Sequence, residues 1–187
     1  MRYGMGMTPR DRWLDEGMRV LREQGIAGVR VDRIAARLEL TKGSFHHHFD
    51  GVGDYRRALL ERYEDETAAV IEGAKSAIRD LLPKQALAEL PAQVPFDPRL
   101  EAAIRGWAFQ DEHAREVVQR IDTARLQALN GLWLAVVGDP HRAAVAALIP
   151  YLVTIGVSVA FPTPKDSDVA DVFALLAHLV PFVTERS

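Results

Sequence analysis

Apolar residues recur at helical spacing along most of this chain, and no segment sustains the every-second-residue alternation of a half-buried strand. Trp13, Leu14, Met18 and Leu21 show this spacing in the first segment. Glycine and proline separate the segments, as they commonly do at the ends of helices. The pattern therefore predicts an all-α fold of about nine helices.

Capping residues and glycine or proline breaks set the predicted bounds of these helices. We expect helices at residues 9–24, 31–38, 53–83, 84–90, 99–110, 112–137, 141–161 and 166–185, with one more short helix capped by Thr41. The helix from residue 53 spans roughly 43 Å at about 1.5 Å per residue, so we expect it to link a small head to the rest of the chain. We expect a proline-rich loop at residues 91–98 and a frayed tail at Met1–Met7, within which Met5 and Met7 are alternative starts.

The net charge of −3 hides an uneven distribution along the chain. Residues 1–60 carry 11 Lys/Arg and 8 Asp/Glu, whereas residues 61–187 carry 12 and 18. A basic segment on an acidic body is a hint of polyanion binding, so the acidic total does not exclude a nucleic-acid partner. The chain is predicted to divide into a basic head at residues 8–52 and an acidic body at residues 53–187.

The chain has no cysteine, which excludes disulfides, thiolate metal sites and a cysteine nucleophile, and which is consistent with a reducing cytoplasm. His46, His47 and His48 are adjacent, but successive side chains on a helix point about 100° apart and cannot converge on one ion. We expect His48 to pack inward beside Phe45. No serine–histidine–aspartate order, phosphate-binding loop or helical metalloprotease motif is present. We therefore expect no enzyme activity, no metal and no cofactor.

The segment from Ala143 to Phe161 has 19 residues without a formal charge, which is the length of a short membrane span. Pro150 and Gly156 lie within it, and it has no flanking basic cluster, so a subunit interface is favoured over a membrane. The final helix is the expected partner of this segment. The predicted dimer interface consists of Leu148, Tyr151, Leu152, Ile155, Val159, Val172, Phe173, Leu176 and Val180.

The segment from Val31 to Phe49 has the form of a helix-turn-helix, because two helices are joined by a short connection. Such a motif places the first residues of its second helix in the major groove of DNA. Hydroxyl groups and a lysine suit that position, since they bind phosphate or base edges, and a glycine allows a close approach. The second helix begins with Thr41, Lys42, Gly43 and Ser44.

These residues resemble the DNA-binding domain of the tetracycline-repressor (TetR) family. The resemblance covers roughly residues 10–60 and is carried by Val31-Asp32-Arg33-Ile34-Ala35-Ala36-Arg37-Leu38 and by Thr41-Lys42-Gly43-Ser44-Phe45-His46-His47-His48-Phe49. More loosely, Trp107–Asp111 and the corner Gly138-Asp139-Pro140 are also similar to family members. The resemblance implies a homodimeric regulator, usually a repressor, that binds palindromic operator DNA. It also implies that the body binds a small-molecule effector and dimerises through its last two helices.

Four positions differ from the family's pattern. His46 replaces a tyrosine that touches phosphate, and it can still donate a hydrogen bond there. Glu39 replaces a turn glycine, and Val52 replaces a lysine near the start of the long helix. Arg30 stands where serine or threonine usually caps the second helix, and it offers a phosphate contact instead. The predicted DNA-binding residues are Arg30, Thr41, Lys42, Gly43, Ser44, His46 and His47.

The effector pocket is expected among the large amphipathic side chains of the body, since ligand pockets are mostly apolar with a few polar groups. Tyr63, Trp107 and His113 are the predicted pocket residues. Two alternatives remain open from the sequence. One is a helix-turn-helix protein that senses no small molecule, and the other is an all-helical enzyme or a membrane-associated protein.

Overall fold

The computed structural model of the protein describes the backbone of residues 8–184 and the side chains of residues 8–165 and 167–176. The predicted tail Met1–Met7, with its alternative starts, lies outside the described residues. Within them the fold is all-α, as predicted, with one 3₁₀ turn at Ile26–Gly28. The helices are α1 Pro9–Gln24, α2 Val31–Leu38, α3 Lys42–His46, α4 Val52–Ala77, α5 Pro83–Gln93, α6 Pro98–Ala108, α7 Glu112–Val137, α8 Pro140–Val159 and α9 Asp166–Thr184.

Helix bounds agree with the prediction where a cap and a break are both explicit in the sequence. The bounds of α1, α2 and α7 are those predicted. The end of α4 was predicted at Pro83, but the helix ends at Ala77. Pro91 was assigned to a loop but lies inside α5, where a proline near the helix end removes only one late hydrogen bond.

An aromatic cluster formed by Trp13, Phe45, Phe49 and Tyr55 joins α1, α3 and α4. All four side chains are at most 2% exposed. The Phe45 ring lies 5.3 Å from that of Trp13 and 5.5 Å from that of Tyr55, both edge to face. Buried aromatic pairs in this geometry stabilise by about 0.5–1.5 kcal/mol beyond their area. The five-residue α3 is therefore held by packing rather than by its own length.

Tyr55 also fixes how closely α4 approaches α1. Its hydroxyl donates a hydrogen bond to the Trp13 carbonyl oxygen at 2.5 Å, and burial raises the pKa of the phenol. Gly17 lies at the same contact, where a Cβ would sit 2.1 Å from the Tyr55 hydroxyl oxygen and 2.8 Å from Leu59 Cδ2. Only a residue without a side chain fits there.

By packing, the chain divides into two units. The first contains residues up to 65 and residues 99–118, so α6 and the start of α7 pack in the same unit as α1, α2 and α3. The second contains residues 66–98 and the chain from residue 119 onward. The predicted boundary at residues 52 and 53 separates proposed functions rather than packing units, and it remains a prediction.

The second unit has a small core of its own. Trp133, Ala143, Ala146 and Ala147 are buried in it, and Leu87 packs against them. Within this unit α9 contacts both α5 and α8. Much of the apolar surface of α8 and α9 stays exposed in the single chain, including Leu152 at 57% and Leu175 at 62%.

Among the described residues, α8 is the one helix long and apolar enough to cross a membrane by length and composition. Only 17% of its most apolar stretch is buried by the rest of the chain. Its hydroxyl groups bond within the helix: Thr154 donates to the Pro150 carbonyl oxygen at 2.9 Å and Ser158 to that of Ile155 at 2.7 Å. From Ala143 onward, the exposed residues of α8 are therefore all apolar or glycine.

We predict that Gly17→Ala lowers the free energy of unfolding by about 1–3 kcal/mol, because the added methyl group overpacks the contact with Tyr55. Gly73→Ala is the matched control. Gly73 lies inside α4 with nothing within 4 Å of an added Cβ, so alanine should stabilise the protein by up to about 1 kcal/mol. Urea unfolding measures both changes. Equal effects of the two substitutions would contradict the close approach of α4 to α1.

Candidate nucleic-acid interface

The turn between α2 and α3 is built from a left-handed residue. Glu39 has φ 56° and ψ 37°, and it is the one non-glycine residue with positive φ in the described part of the chain. The turn is closed by the Leu40 amide, which donates to the Ala35 carbonyl oxygen at 2.9 Å. Arg12 of α1 adds a longer hydrogen bond, from Nη2 to the Leu38 carbonyl oxygen at 3.4 Å. The predicted short connection is therefore present, and it fixes α3 relative to α2.

Thr41 caps α3, as predicted. Its Oγ1 accepts a hydrogen bond from the Ser44 amide at 3.3 Å, which leaves the hydroxyl hydrogen available to another acceptor. Thr41, Lys42 and Gly43 are exposed, and Ser44 is half-buried. These residues form one short surface at the start of α3.

Gly43 is not required by the fold. A Cβ at this position would lie 3.6 Å from Thr41 Oγ1, which is ordinary van der Waals contact. Its φ is also outside the left-handed region. Its lack of a side chain instead leaves the surface at the start of α3 open to close approach.

The three adjacent histidines face different surroundings. His46 and His47 are exposed, and the centroid of the His46 ring lies 5.3 Å from that of Phe45 with the two ring planes nearly perpendicular. His48 is half-buried, and its ring contacts Phe49 at 6.5 Å. Nowhere in the described residues does a group of three or more His, Cys, Asp or Glu side chains come together as a metal site.

Arg30 precedes α2 without a side-chain cap, as predicted, but its guanidinium is engaged. Nε and Nη2 donate to the two carboxylate oxygens of Asp32 at 3.3 Å and 3.4 Å. These hydrogen bonds are the main cause that lowers the pKa of Asp32. A phosphate contact by Arg30 therefore requires it to share or leave Asp32.

A network of charges that was not singled out from the sequence holds α2 on α1. The buried carboxylate of Glu16 accepts from Arg37 Nη1 at 3.1 Å, and Arg37 also donates two hydrogen bonds of 3.0 Å to Glu23. The hydrogen bond with Glu16, followed by that with Glu23, raises the pKa of Arg37. In the sequence these residues read as ordinary charges on helix surfaces, because their partners lie 21 and 14 positions away.

Comparison with known proteins supports this interpretation of the head. A sequence profile described as "Bacterial regulatory proteins, tetR family" matches residues 14–51. Over 58 residues the chain is 36% identical to the transcriptional regulator AcuR of Cereibacter sphaeroides. That stretch covers 31% of this chain and 26% of AcuR, so the match spans about a quarter of the curated relative.

Residues 14–51, which contain α2 and α3, therefore match the tetR family of bacterial regulatory proteins. The fold of a TetR-family transcriptional regulator from Streptomyces coelicolor is similar along 95% of this chain and 96% of that one, with a TM-score of 0.78 and 18% identity. The regulator FadR of Bacillus subtilis, solved with stearoyl-CoA, is similar along 93% of this chain and 97% of its own, with a TM-score of 0.62 and 16% identity. At such identities the likeness concerns the fold.

Two of the differences from the TetR family have clear structural consequences. Glu39 adopts the left-handed conformation that a glycine would take without strain. Val52 is the first residue of α4, and its side chain is 46% exposed. An apolar side chain therefore stands at a surface position where the family pattern provides a cation.

The predicted pocket residues Tyr63 and Trp107 are buried in the first unit and have partners there. The Tyr63 hydroxyl donates to Glu101 Oε2 at 2.6 Å, and Arg105 Nε donates to Glu101 Oε1 at 2.8 Å. Glu101 itself is only 4% exposed, so these donors compensate a buried carboxylate. The indole of Trp107 donates to the carboxylate of Asp111.

His113, the third predicted pocket residue, lies two residues after Asp111, in the first turn of α7. Its side chain is 44% exposed, and Nδ1 lies 3.7 Å from Glu116. An open cleft lies elsewhere, in the second unit, with a volume of about 440 Å³. It is lined by Ala77, Ile78, Leu81, Gln85, Glu89 and Gln93. The predicted pocket residues do not line this cleft.

The predicted dimer residues are divided between exposed and half-buried positions on α8 and α9. Val180 lies outside the described side chains. The exposed residues are Leu148, Leu152, Val159 and Val172, and the half-buried ones are Tyr151, Ile155, Phe173 and Leu176. Apolar side chains exposed together on neighbouring helices are typical of an interaction surface.

We predict that Glu39→Gly raises the free energy of unfolding by about 0.5–1 kcal/mol, because it removes left-handed strain and costs some chain entropy. Glu39→Ala keeps the Cβ and should leave stability nearly unchanged. Thermal and urea unfolding of the three proteins test this. Equal stabilisation by glycine and alanine would show that the gain comes from removing the Glu39 charge rather than from relieving backbone strain.

We predict that the contribution of Asp111 to the stability of the fold depends on pH. The Ala114 amide, followed by the Trp107 indole, lowers its pKa below the ordinary value. The carboxylate therefore stabilises the fold above its unfolded-state pKa, and this contribution is lost as the pH falls through the lower folded pKa. Asp111→Asn should reduce stability near pH 7, with a difference that shrinks below about pH 4. A difference that stays constant with pH would contradict this assignment.

Proposed function

We propose that this protein is a TetR-family regulator, a homodimeric repressor that binds palindromic operator DNA through α2 and α3 and releases it when a small molecule binds. One observation carries the proposal. Thr41, Lys42 and Ser44 are presented at the start of a helix whose opposite side is locked into the aromatic cluster. A rigid helix with short polar side chains at its exposed end suits the major groove.

The side chains at the start of α3 divide by the DNA group they would bind. Lys42 is exposed and carries a mobile charge, which suits a backbone phosphate. Ser44 lies one turn into the motif with a hydroxyl that donates and accepts, which suits a base edge. Thr41 has a free hydroxyl hydrogen for phosphate, while His46 and His47 extend the polar surface.

Dimerisation is proposed through α8 and α9. Their exposed apolar side chains would be covered when two copies pack these helices into a four-helix bundle with two-fold symmetry. A two-fold dimer places two copies of α3 to read a palindrome whose half-sites lie about 34–36 Å apart. The apolar surface of α8 then serves protein contact rather than lipid, in a protein that works in the cytoplasm.

Effector release is the remaining part of the proposal. The FadR structure shows that a protein of this fold binds a small molecule, and the 440 Å³ cleft of this chain has the size of a ligand site. The predicted contacts Tyr63, Trp107 and His113 do not line this cleft, so they and the cleft are two separate candidate sites for the effector. The effector must prefer a form in which the two α3 helices no longer match the half-site spacing, because a ligand with equal affinity for both forms shifts nothing.

We predict that Lys42→Ala weakens binding to all DNA duplexes similarly, whereas Ser44→Ala changes which sequence is preferred. Duplexes selected from a random pool by the wild type, and single-base variants of them, provide the measurement. The phosphate contact by Lys42 should contribute about 0.9 to the slope of affinity against salt, and the base contact by Ser44 about 1–3 kcal/mol of discrimination. Equal effects of both variants on sequence preference would contradict the assignment. Wild-type affinity that does not fall with salt would exclude the proposed function.

We predict that Leu152→Glu converts the dimer to a monomer, since it places a carboxylate in the proposed apolar interface. Phe109→Glu is the matched control. Phe109 is 85% exposed and lies in the first unit, so this variant should remain dimeric. Sedimentation velocity measures both. A wild-type monomer, or an unaffected Leu152→Glu dimer, would contradict the proposed interface.

A further inference from the structure

Several arginines of the first unit already have carboxylate partners. Arg19 lies 3.2 Å from Glu16, and Arg62 lies 3.1 Å from Asp15. Arg30 and Arg37 are paired as described above. A paired cation contributes less to binding a phosphate, because it must first share or leave its carboxylate.

Arg10 differs from these arginines. It is exposed, and within the described residues its guanidinium has no carboxylate in ion-pair distance. The adjacent Asp11 is committed to the cap of α1, where its Oδ2 accepts from the Thr8 amide at 3.1 Å and from the Thr8 hydroxyl at 2.7 Å. Arg10 also lies in the first turn of α1, where the helix dipole disfavours a positive charge. Helix stability therefore does not explain an arginine here.

The guanidinium of Arg10 is nevertheless held in place. Its Cζ lies 5.2 Å from the centroid of the Phe49 ring, within the range of a cation–π contact. Phe49 is 2% exposed, and its ring lies 5.2 Å from that of Phe45 in α3. Arg10 thus lies beside Phe49, three residues after the end of the helix that begins with Lys42.

We propose that Arg10 is a DNA-phosphate ligand, held by the Phe49 ring so that its guanidinium binds one backbone phosphodiester next to the groove that α3 enters. A cation–π contact uses no oxygen acceptor, so the N–H groups of the Arg10 guanidinium are not committed to a carboxylate or carbonyl by this contact. Arg10 comes from α1 rather than from α3, so the contact is independent of base sequence. This inference rests on the proposed DNA binding and adds a contact outside the helix-turn-helix.

The test uses the full chain and two duplexes of about 30 base pairs. One is selected from a random pool by the wild type, and the other is an unrelated sequence. Affinity is measured by fluorescence anisotropy between about 50 and about 200 mM potassium chloride for the wild type, Arg10→Ala, Arg10→Lys and Arg19→Ala. Arg19 is the matched control, because it lies on α1, is exposed and is paired with Glu16.

Arg10→Ala should weaken binding to both duplexes by a similar factor. Its slope of log affinity against log salt should be smaller by about 0.9, so that the loss of affinity over this salt range becomes about threefold smaller. Arg10→Lys should keep the wild-type slope, since it keeps the charge, and should bind less tightly because an ammonium group lacks the planar fork with which a guanidinium binds phosphate. Arg19→Ala should keep the wild-type slope.

Three results would overturn the inference. The first is an unchanged slope in Arg10→Ala. The second is a loss confined to the selected duplex, which would indicate a base contact. The third is an equal loss of slope in Arg19→Ala, which would indicate a general effect of charge. Failure of the wild type to bind either duplex would instead overturn the proposed function, so the two failures are distinguishable.

Discussion

The recognition surface depends on the packing of four aromatic rings. A helix of five residues has too few hydrogen bonds to persist alone, so α3 exists because Phe45 is enclosed by rings from α1 and α4. Tyr55 sets the spacing of this cluster through its bond to the Trp13 carbonyl, and Gly17 allows the approach. The position of the first residues of α3, the surface proposed to bind DNA, follows from these contacts.

Paired charges and exposed apolar side chains are found in different parts of the chain. In the head, Glu16 and Glu23 engage Arg37 in holding α2 to α1, whereas Lys42 remains exposed. In the second unit the exposed residues of α8 are apolar rather than charged. The net charge of −3 therefore does not indicate which surface binds a partner. The position and pairing of the individual charges do.

The sequence predicted the parts of the fold that local chemistry determines. Thr41 caps α3 as expected, because a hydroxyl three residues before an amide is a local signal. Long-range contacts were not predictable in this way. Tyr63 was selected as an amphipathic side chain suited to a pocket, but its partner Glu101 lies 38 positions away, and nothing in the spacing revealed that the two would meet. Helix ends without a clear cap, such as that of α4, were also misplaced.

Backbone hydrogen–deuterium exchange, with and without a selected DNA duplex, tests the central claim most directly. Exchange reports local protection of each amide. If α3 enters the groove, the amides of Thr41 to His46 should exchange more slowly when DNA is bound, while those of α8 should change little. Protection gained along α8 with none at residues 41–46 would contradict the account, because it would place the DNA on the surface assigned to the second subunit.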